Sequence, residues 1–148
     1  MHRLIKENVI EVEKMKFILA SDVTPERLEQ FLEHNKQIEL ETLLKAGYVV
    51  ERNDKIIGCF ALEPIQDDAY WLKQLYVIRQ EAVKLPIIVE TVLAIAKQQQ
   101  AKVIYAHSEQ PVTDLLLESL CFSLQPSQEE LVPAKNEKGH WWTYSISS

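Results

Sequence analysis

Glycine is almost absent from this chain. Of its 148 residues three are glycine, Gly47, Gly58 and Gly139, and the 80 residues from Cys59 to Lys138 contain none. Walker and Rossmann phosphate loops and the nucleophile elbow all need glycine, because only a residue without Cβ lets the backbone turn tightly or come close to a phosphate. Those architectures are excluded.

Composition narrows the class further. With 47% apolar and 26% charged residues, residues 1–148 suit a single globular domain that fills a core without disulfides or metals. The balance of 16 Lys+Arg against 22 Asp+Glu, a formal charge of −6, comes with no basic cluster and so excludes general nucleic-acid binding. No apolar run comes near the roughly 20 residues of a membrane span. The start Met1–Asn8 lacks the apolar centre of a secretory signal. Cys59 and Cys121 form no disulfide framework and suit a reducing cytoplasm. His2, His34, His107 and His140 show no paired ligand spacing, so no metal site is expected.

Periodicity orders the elements. Met15–Ala20 alternates as a strand. Thr24 caps a helix that opens with Pro25 and Glu26 and buries Leu28, Phe31 and Leu32. Asn35-Lys36 breaks it. A short second helix through Ile38, Leu40, Leu43 and Leu44 ends at Gly47. Tyr48–Arg52, Asn53-Asp54 and Lys55–Leu62 read as a β-hairpin. A turn is expected over Pro64–Asp68, with Asp67-Asp68 at its tip, then a strand over Ala69–Val77 and a polar loop over Ile78–Lys84. Pro86 opens a helix with two apolar stripes, Ile88, Val92, Ile95 and Ala96 on one side and Leu85, Val89 and Leu93 on the other. Lys102–Ala106 is a short strand, Pro111 opens a last helix through Leu115, Leu116 and Leu120, and His140–Ile146 is the final strand. Gln125–Lys138, with Pro126, Pro133 and the solvated pair Glu129-Glu130, reads as a loop or a poorly paired strand. Residues 1–14 fit either an extra strand or a short helix, and they are a candidate dimer arm.

This order, with Trp71-Leu72-Lys73-Gln74-Leu75-Tyr76-Val77 and Leu116-Leu117-Glu118-Ser119-Leu120-Cys121-Phe122, resembles the GNAT acyltransferase superfamily. The first segment is similar to that family's central strand, which commonly ends Leu-Tyr-Val before the acyl-CoA loop. The second is similar to the Tyr-Glu-Lys-Leu-Gly-Phe ending of its last helix. The resemblance runs from Met15 to the C-terminus. It implies an α/β (α+β) fold with a mixed central sheet of about six to seven strands flanked by about four helices. It also implies acetyl-CoA or another acyl-CoA as co-substrate and a small-molecule or peptide amine as acceptor. Leu75, Tyr76 and Val77 would present backbone groups to the pantetheine arm. Ala82, Val83, Lys84 and Leu85 would receive the phosphates, with Arg79 or Lys84 adding charge.

The sequence departs from the family where the chemistry sits. The loop normally reads Arg/Gln-x-x-Gly-x-Gly/Ala; counted from Val77, its positions fall on Ala82, Leu85 and Ile87, and Pro86 removes one N–H donor. The tyrosine that protonates departing CoA in many members is Leu117 here, and the glycine before the last Phe is Cys121. Trp71 and Lys73 stand on the strand where some members carry a basic glutamate. His107, at the end of the Lys102–Ala106 strand, and Glu63, closing the hairpin's second strand, are the candidate general bases. Alternation sets Trp141 and Thr143 on one face of the last strand and Trp142 and Tyr144 on the other, one face for the core and the other for a cleft or a dimer contact. Two functions stay open: an acyl-CoA-dependent N-acyltransferase, or a degenerate GNAT-like domain with a binding or regulatory role.

Overall fold

The structure is a computed structural model that describes residues 3–6, 9–66, 68–125 and 139–146. The expectations for Asp67, Glu129-Glu130 and the rest of 126–138, and those for Met1, His2, Glu7 and Asn8, lie outside these residues. The chain forms two compact units, Met1–Ala61 with Gln74–Ala82, and Leu62–Lys73 with Val83–Ser148.

In the first unit five strands run antiparallel in chain order: β1 (Arg3–Lys6), β2 (Val9–Val12), β3 (Met15–Leu19), β4 (Gly47–Arg52) and β5 (Lys55–Gln66). Residues before Met15 therefore take the strand alternative. Two-residue turns close the hairpins at Glu13-Lys14 (φ 48° and 67°) and Asn53-Asp54 (φ 55° and 64°). Both positions lie in the left-handed region, whose turn twist matches that of the flanking strands. Helices α1 (Pro25–Glu33) and α2 (Leu40–Ala46) follow β3. Pro25 opens α1 as expected, and buried Asn35 donates its side-chain N–H to the Phe31 carbonyl (2.7 Å), satisfying an orphan acceptor at its end. Leu28, Phe31, Ile38 and Leu43 pack on Val49, Ile56 and Cys59, with Tyr76 against them. Met15, Phe17, Val50 and Phe60 are buried on the opposite face.

The second unit is mixed. Strand β6 (Ala69–Val77) pairs in parallel with β7 (Val103–Ser108), which pairs antiparallel with β9 (His140–Ser145), and β9 with the two-residue β8 (Ser123–Leu124). Helix α3 (Leu85–Gln98) is the crossover that a parallel pair requires. It buries Ile88, Val89, Thr91, Val92, Ile95 and Ala96 around much of its circumference, so both apolar stripes are used. Helix α4 (Pro111–Ser119) buries Leu117 and leaves Val112 and Leu115 exposed.

Among the described residues there are seven strands and four α-helices from Met15 onward, and two further strands before it. Several boundaries differ from the sequence reading. β5 runs to Gln66 instead of turning at Pro64, β7 extends to Ser108, and Arg79–Lys84 forms 3₁₀ turns rather than an open loop. Gly47 ends α2 but is already extended strand. Gly58 has a steric role, since a Cβ there would lie 2.5 Å from the Tyr76 carbonyl oxygen. Gly58→Ala should therefore force the backbone of β5 off that of Tyr76. We expect a loss of about 1–3 kcal/mol, the usual range for overpacking, read as a lower urea midpoint with an unchanged m-value.

Candidate active site

The parallel register couples Ala69–Leu72 to Val103–Ala106, and Leu72 with Ala106 is its last pair. The next residue of β7 is His107, which lies opposite Trp141 of β9. The two rings pack at a tilt with centroids 4.8 Å apart, and Trp141 also meets Trp71 with centroids 5.3 Å apart. Trp71 in turn carries Lys73, whose ammonium sits 4.3 Å over the ring and 2.9 Å from a Glu63 carboxylate oxygen. A line of contacts thus runs Glu63, Lys73, Trp71, Trp141, His107. It binds through charge at one end, cation–π attraction next to it, and aromatic packing at the other. Ala69, Tyr105 and Trp141 form the buried cluster beneath it, with Ile65 and Val103 at its side.

Among the described residues, His107 Nε2 is buried without a hydrogen-bond partner. An unsatisfied buried group of this kind costs about 1–3 kcal/mol, a penalty that a donor placed against it removes. Glu63 is committed to Lys73. The two candidate bases therefore stand at opposite ends of one line, and only the His107 nitrogen lacks a partner. His107 sits inside β7, which runs past the Ala106 end expected from sequence to Ser108.

Asp114 of α4 holds the far side of β9. Its carboxylate accepts from Trp142 Nε1 (2.8 Å) and contacts His140 Nδ1 (3.2 Å). Burial raises its pKa, but hydrogen bonds from Trp142, Ser108 and His140, with the imidazole charge, outweigh that and hold it below the usual value. Gly139 has φ +95°, and a Cβ there would lie 2.1 Å from the Ser108 carbonyl oxygen, so the entry to β9 lies close on the end of β7. Trp141 and Trp142 are both about 5% exposed. Alternation separates them as expected, and each face of β9 is already engaged. Leu117, at the position of the family's acid, is about 2% exposed and belongs to the core.

In the first unit, Gln74 of β6 takes a left-handed φ of 57°; its carbonyl accepts from Cys59 Sγ (3.4 Å) and its side chain accepts from Glu39 N–H (3.2 Å). Burial pushes the Cys59 thiol up to about 12, so it is no nucleophile. Leu75, Tyr76 and Val77 are half-buried, and the Tyr76 ring packs 6.2 Å from Phe31. Ile78 N–H donates to the Ile57 carbonyl (2.8 Å). Arg79–Lys84 then coils in 3₁₀ turns, and Glu81 N–H donates to the Ile78 carbonyl (3.0 Å). Arg79, Ala82 and Val83 are exposed, while Lys84 and Leu85 are half-buried. The Glu81 N–H is satisfied by the Ile78 carbonyl, the backbone is kinked at Glu81 (φ −114°, ψ 16°), and Pro86 supplies no donor. Glu81 ion-pairs with Arg52 of β4 (3.3 Å). That pair, 29 residues apart in sequence, and the Asp114 cluster were missed by sequence reasoning because no local spacing announces them. Trp71 and Lys73 were visible as an alternating pair on β6, but their partners were not. Among the described residues no three His, Cys, Asp or Glu side chains gather as for a metal.

No family model matches the chain, and no curated protein matches it by sequence. Solved structures do match. A GNAT-family acetyltransferase from Staphylococcus aureus Mu50 aligns at TM-score 0.69 and 15% identity over 90% of this chain and 99% of that one. A Bacillus subtilis acetyltransferase in complex with CoA aligns at 0.68 and 14% over 90% and 100%. N-acetylglutamate synthase from Neisseria gonorrhoeae, complexed with coenzyme A and N-acetyl-glutamate, aligns at 0.69 and 14% over 93% of this chain and 36% of its own. The chain has the α+β fold of the GNAT acetyltransferases. Among the described residues no helix is long and apolar enough to cross a membrane.

The Asp114 cluster has a pH signature. A carboxylate with a depressed folded pKa adds stability that is present above its unfolded pKa and lost as pH falls through the folded one. Asp114→Asn should therefore destabilise the protein at pH 7. The gap to wild type should close as pH is lowered from about 4, in urea titrations run at stepped pH. A gap that stays constant down to acid would show that the carboxylate's charge contributes nothing.

Proposed function

We propose that this chain is an acyl-CoA-dependent N-acyltransferase acting on an amine. The observation that carries the reading is the unpartnered Nε2 of His107, one residue beyond the last β6–β7 pair. An amine nitrogen attacks the thioester carbonyl, the new N–C bond forms and the C–S bond breaks. The amine's proton passes to His107 Nε2, and CoA departs as a thiolate that takes a proton from solvent, since Leu117 offers none. Trp141 fixes the imidazole plane, which gives the base its orientation before the acceptor arrives. Glu63, already paired with Lys73, supports the same face rather than acting as the base. The fold's likeness to two CoA complexes supports the co-substrate. The backbone of Leu75–Val77 would meet the pantetheine arm, and side-chain cations would meet the phosphates, because no glycine opens the backbone of 79–85 to them and Pro86 lacks a donor. A cytoplasmic setting is in keeping with free Cys59 and an exposed, free Cys121.

A second reading, a binding domain that no longer turns over, is favoured by one observation: Leu117 is a core side chain where an acid would be needed. The two readings separate experimentally. CoA at 100 times its Kd should add about 2.7 kcal/mol to the native state, a rise of several degrees in Tm. Thiol release from acetyl-CoA should follow on addition of an amine from a panel of amino acids, polyamines and peptides. His107→Gln should lower kcat/KM by about 10²–10⁴-fold and leave the CoA-induced rise in Tm intact. A rise in Tm without thiol release for any amine would establish the second reading.

A further inference from the structure

Adjacent residues of β4 carry two ion pairs of very different character. Glu51 takes Arg27 of α1 at 2.6 Å with its own side chain only 7% exposed, and Arg27 also donates to the Asp54 carbonyl at 3.1 Å. That pair is short, buried on the acid side and doubly tied. Arg52, on the other face of the strand, meets Glu81 at 3.3 Å with 34% of its side chain exposed. A charge-assisted N–H···O⁻ contact is normally about 2.7–2.9 Å, so this one is loose. The guanidinium has five donors in a planar fork suited to phosphate, and the contact with Glu81 engages one of its terminal nitrogens. Glu81 also places a carboxylate inside the segment that the acyl-CoA reading assigns to the phosphates, with exposed Arg79 two residues before it.

We propose that Arg52 is the anion ligand of this segment and that Glu81 is its internal substitute, displaced when a diphosphate ester binds. The inference rests on the acyl-CoA reading for the identity of the ester. The segment has no glycine, its Glu81 N–H is taken by the Ile78 carbonyl and Pro86 offers no donor, so side-chain charge is the ready source of attraction for an anion. Arg52 is the cation in direct contact with it within this unit. A diphosphate offers the fork two oxygens and more negative charge than one carboxylate, and its arrival repels Glu81 from the same guanidinium. Bound anion and the Arg52–Glu81 pair are thus mutually exclusive.

The test is isothermal titration with inorganic pyrophosphate, then with CoA, on the full chain. Glu81→Gln should tighten pyrophosphate binding by about tenfold, the worth of one regained charge-assisted hydrogen bond. Arg52→Gln should abolish it, alone and combined with Glu81→Gln, while Arg52→Lys should retain a weakened site. Circular dichroism and urea midpoints identify any variant that has failed to fold, and in that case Arg52→Lys with Glu81→Gln decides. Equal affinity in wild type and Glu81→Gln, or binding that survives Arg52→Gln, overturns the proposal. If the pyrophosphate pattern holds but CoA binds no more tightly than pyrophosphate, the anion site stands and the acyl-CoA reading falls.

Discussion

Trp141 is the side chain around which the second unit's line of contacts is arranged. Its indole packs with both Trp71 and His107, with centroids 5.3 and 4.8 Å away. It thereby ties the imidazole on β7 to the ring that carries Lys73 on β6. Both contacts are tilted, the geometry that aromatic quadrupoles favour over face-to-face stacking. Lys73 then pairs with Glu63, so one buried indole links a histidine to an ion pair. The other face of the same strand is secured through Trp142 and Asp114. β9 is therefore held from both faces.

Scarcity of glycine shapes the first unit as strongly. Where glycines could have opened the backbone, the chain instead coils into kinked 3₁₀ turns followed by Pro86. Beside that segment Arg52 holds the Glu81 carboxylate. Gly58 shows the opposite case. The strand bearing it lies so close to the Tyr76 carbonyl that any side chain would collide, and β6 takes a left-handed residue at Gln74 just before that point.

Much of the architecture was legible along the chain. The Asn53-Asp54 hairpin, the proline-led helices α1 and α4, the two-sided apolar α3 and the aromatic alternation of β9 all appear where periodicity and turn chemistry put them. The errors fell at boundaries. Pro64 suggested a turn, yet β5 continues through it to Gln66, since proline is tolerated in a strand where its missing N–H is not called on. The strand expected to stop at Ala106 runs on through His107 to Ser108, because pairing with Trp141 and His140 carries it two residues further.

By itself the sequence determined the class of fold, through period and order of elements, and it excluded glycine-built phosphate loops. Tertiary structure alone decided which charged groups meet. Arg52 reaches Glu81, Lys73 takes Glu63, and Asp114 gathers Trp142 and His140, each across a gap that carries no periodic signal. Period is a property of neighbours along one element, so it can be read from the chain. Which carboxylate finds which cation depends on strand register and on how far each backbone can approach, and those are settled only when the core has packed.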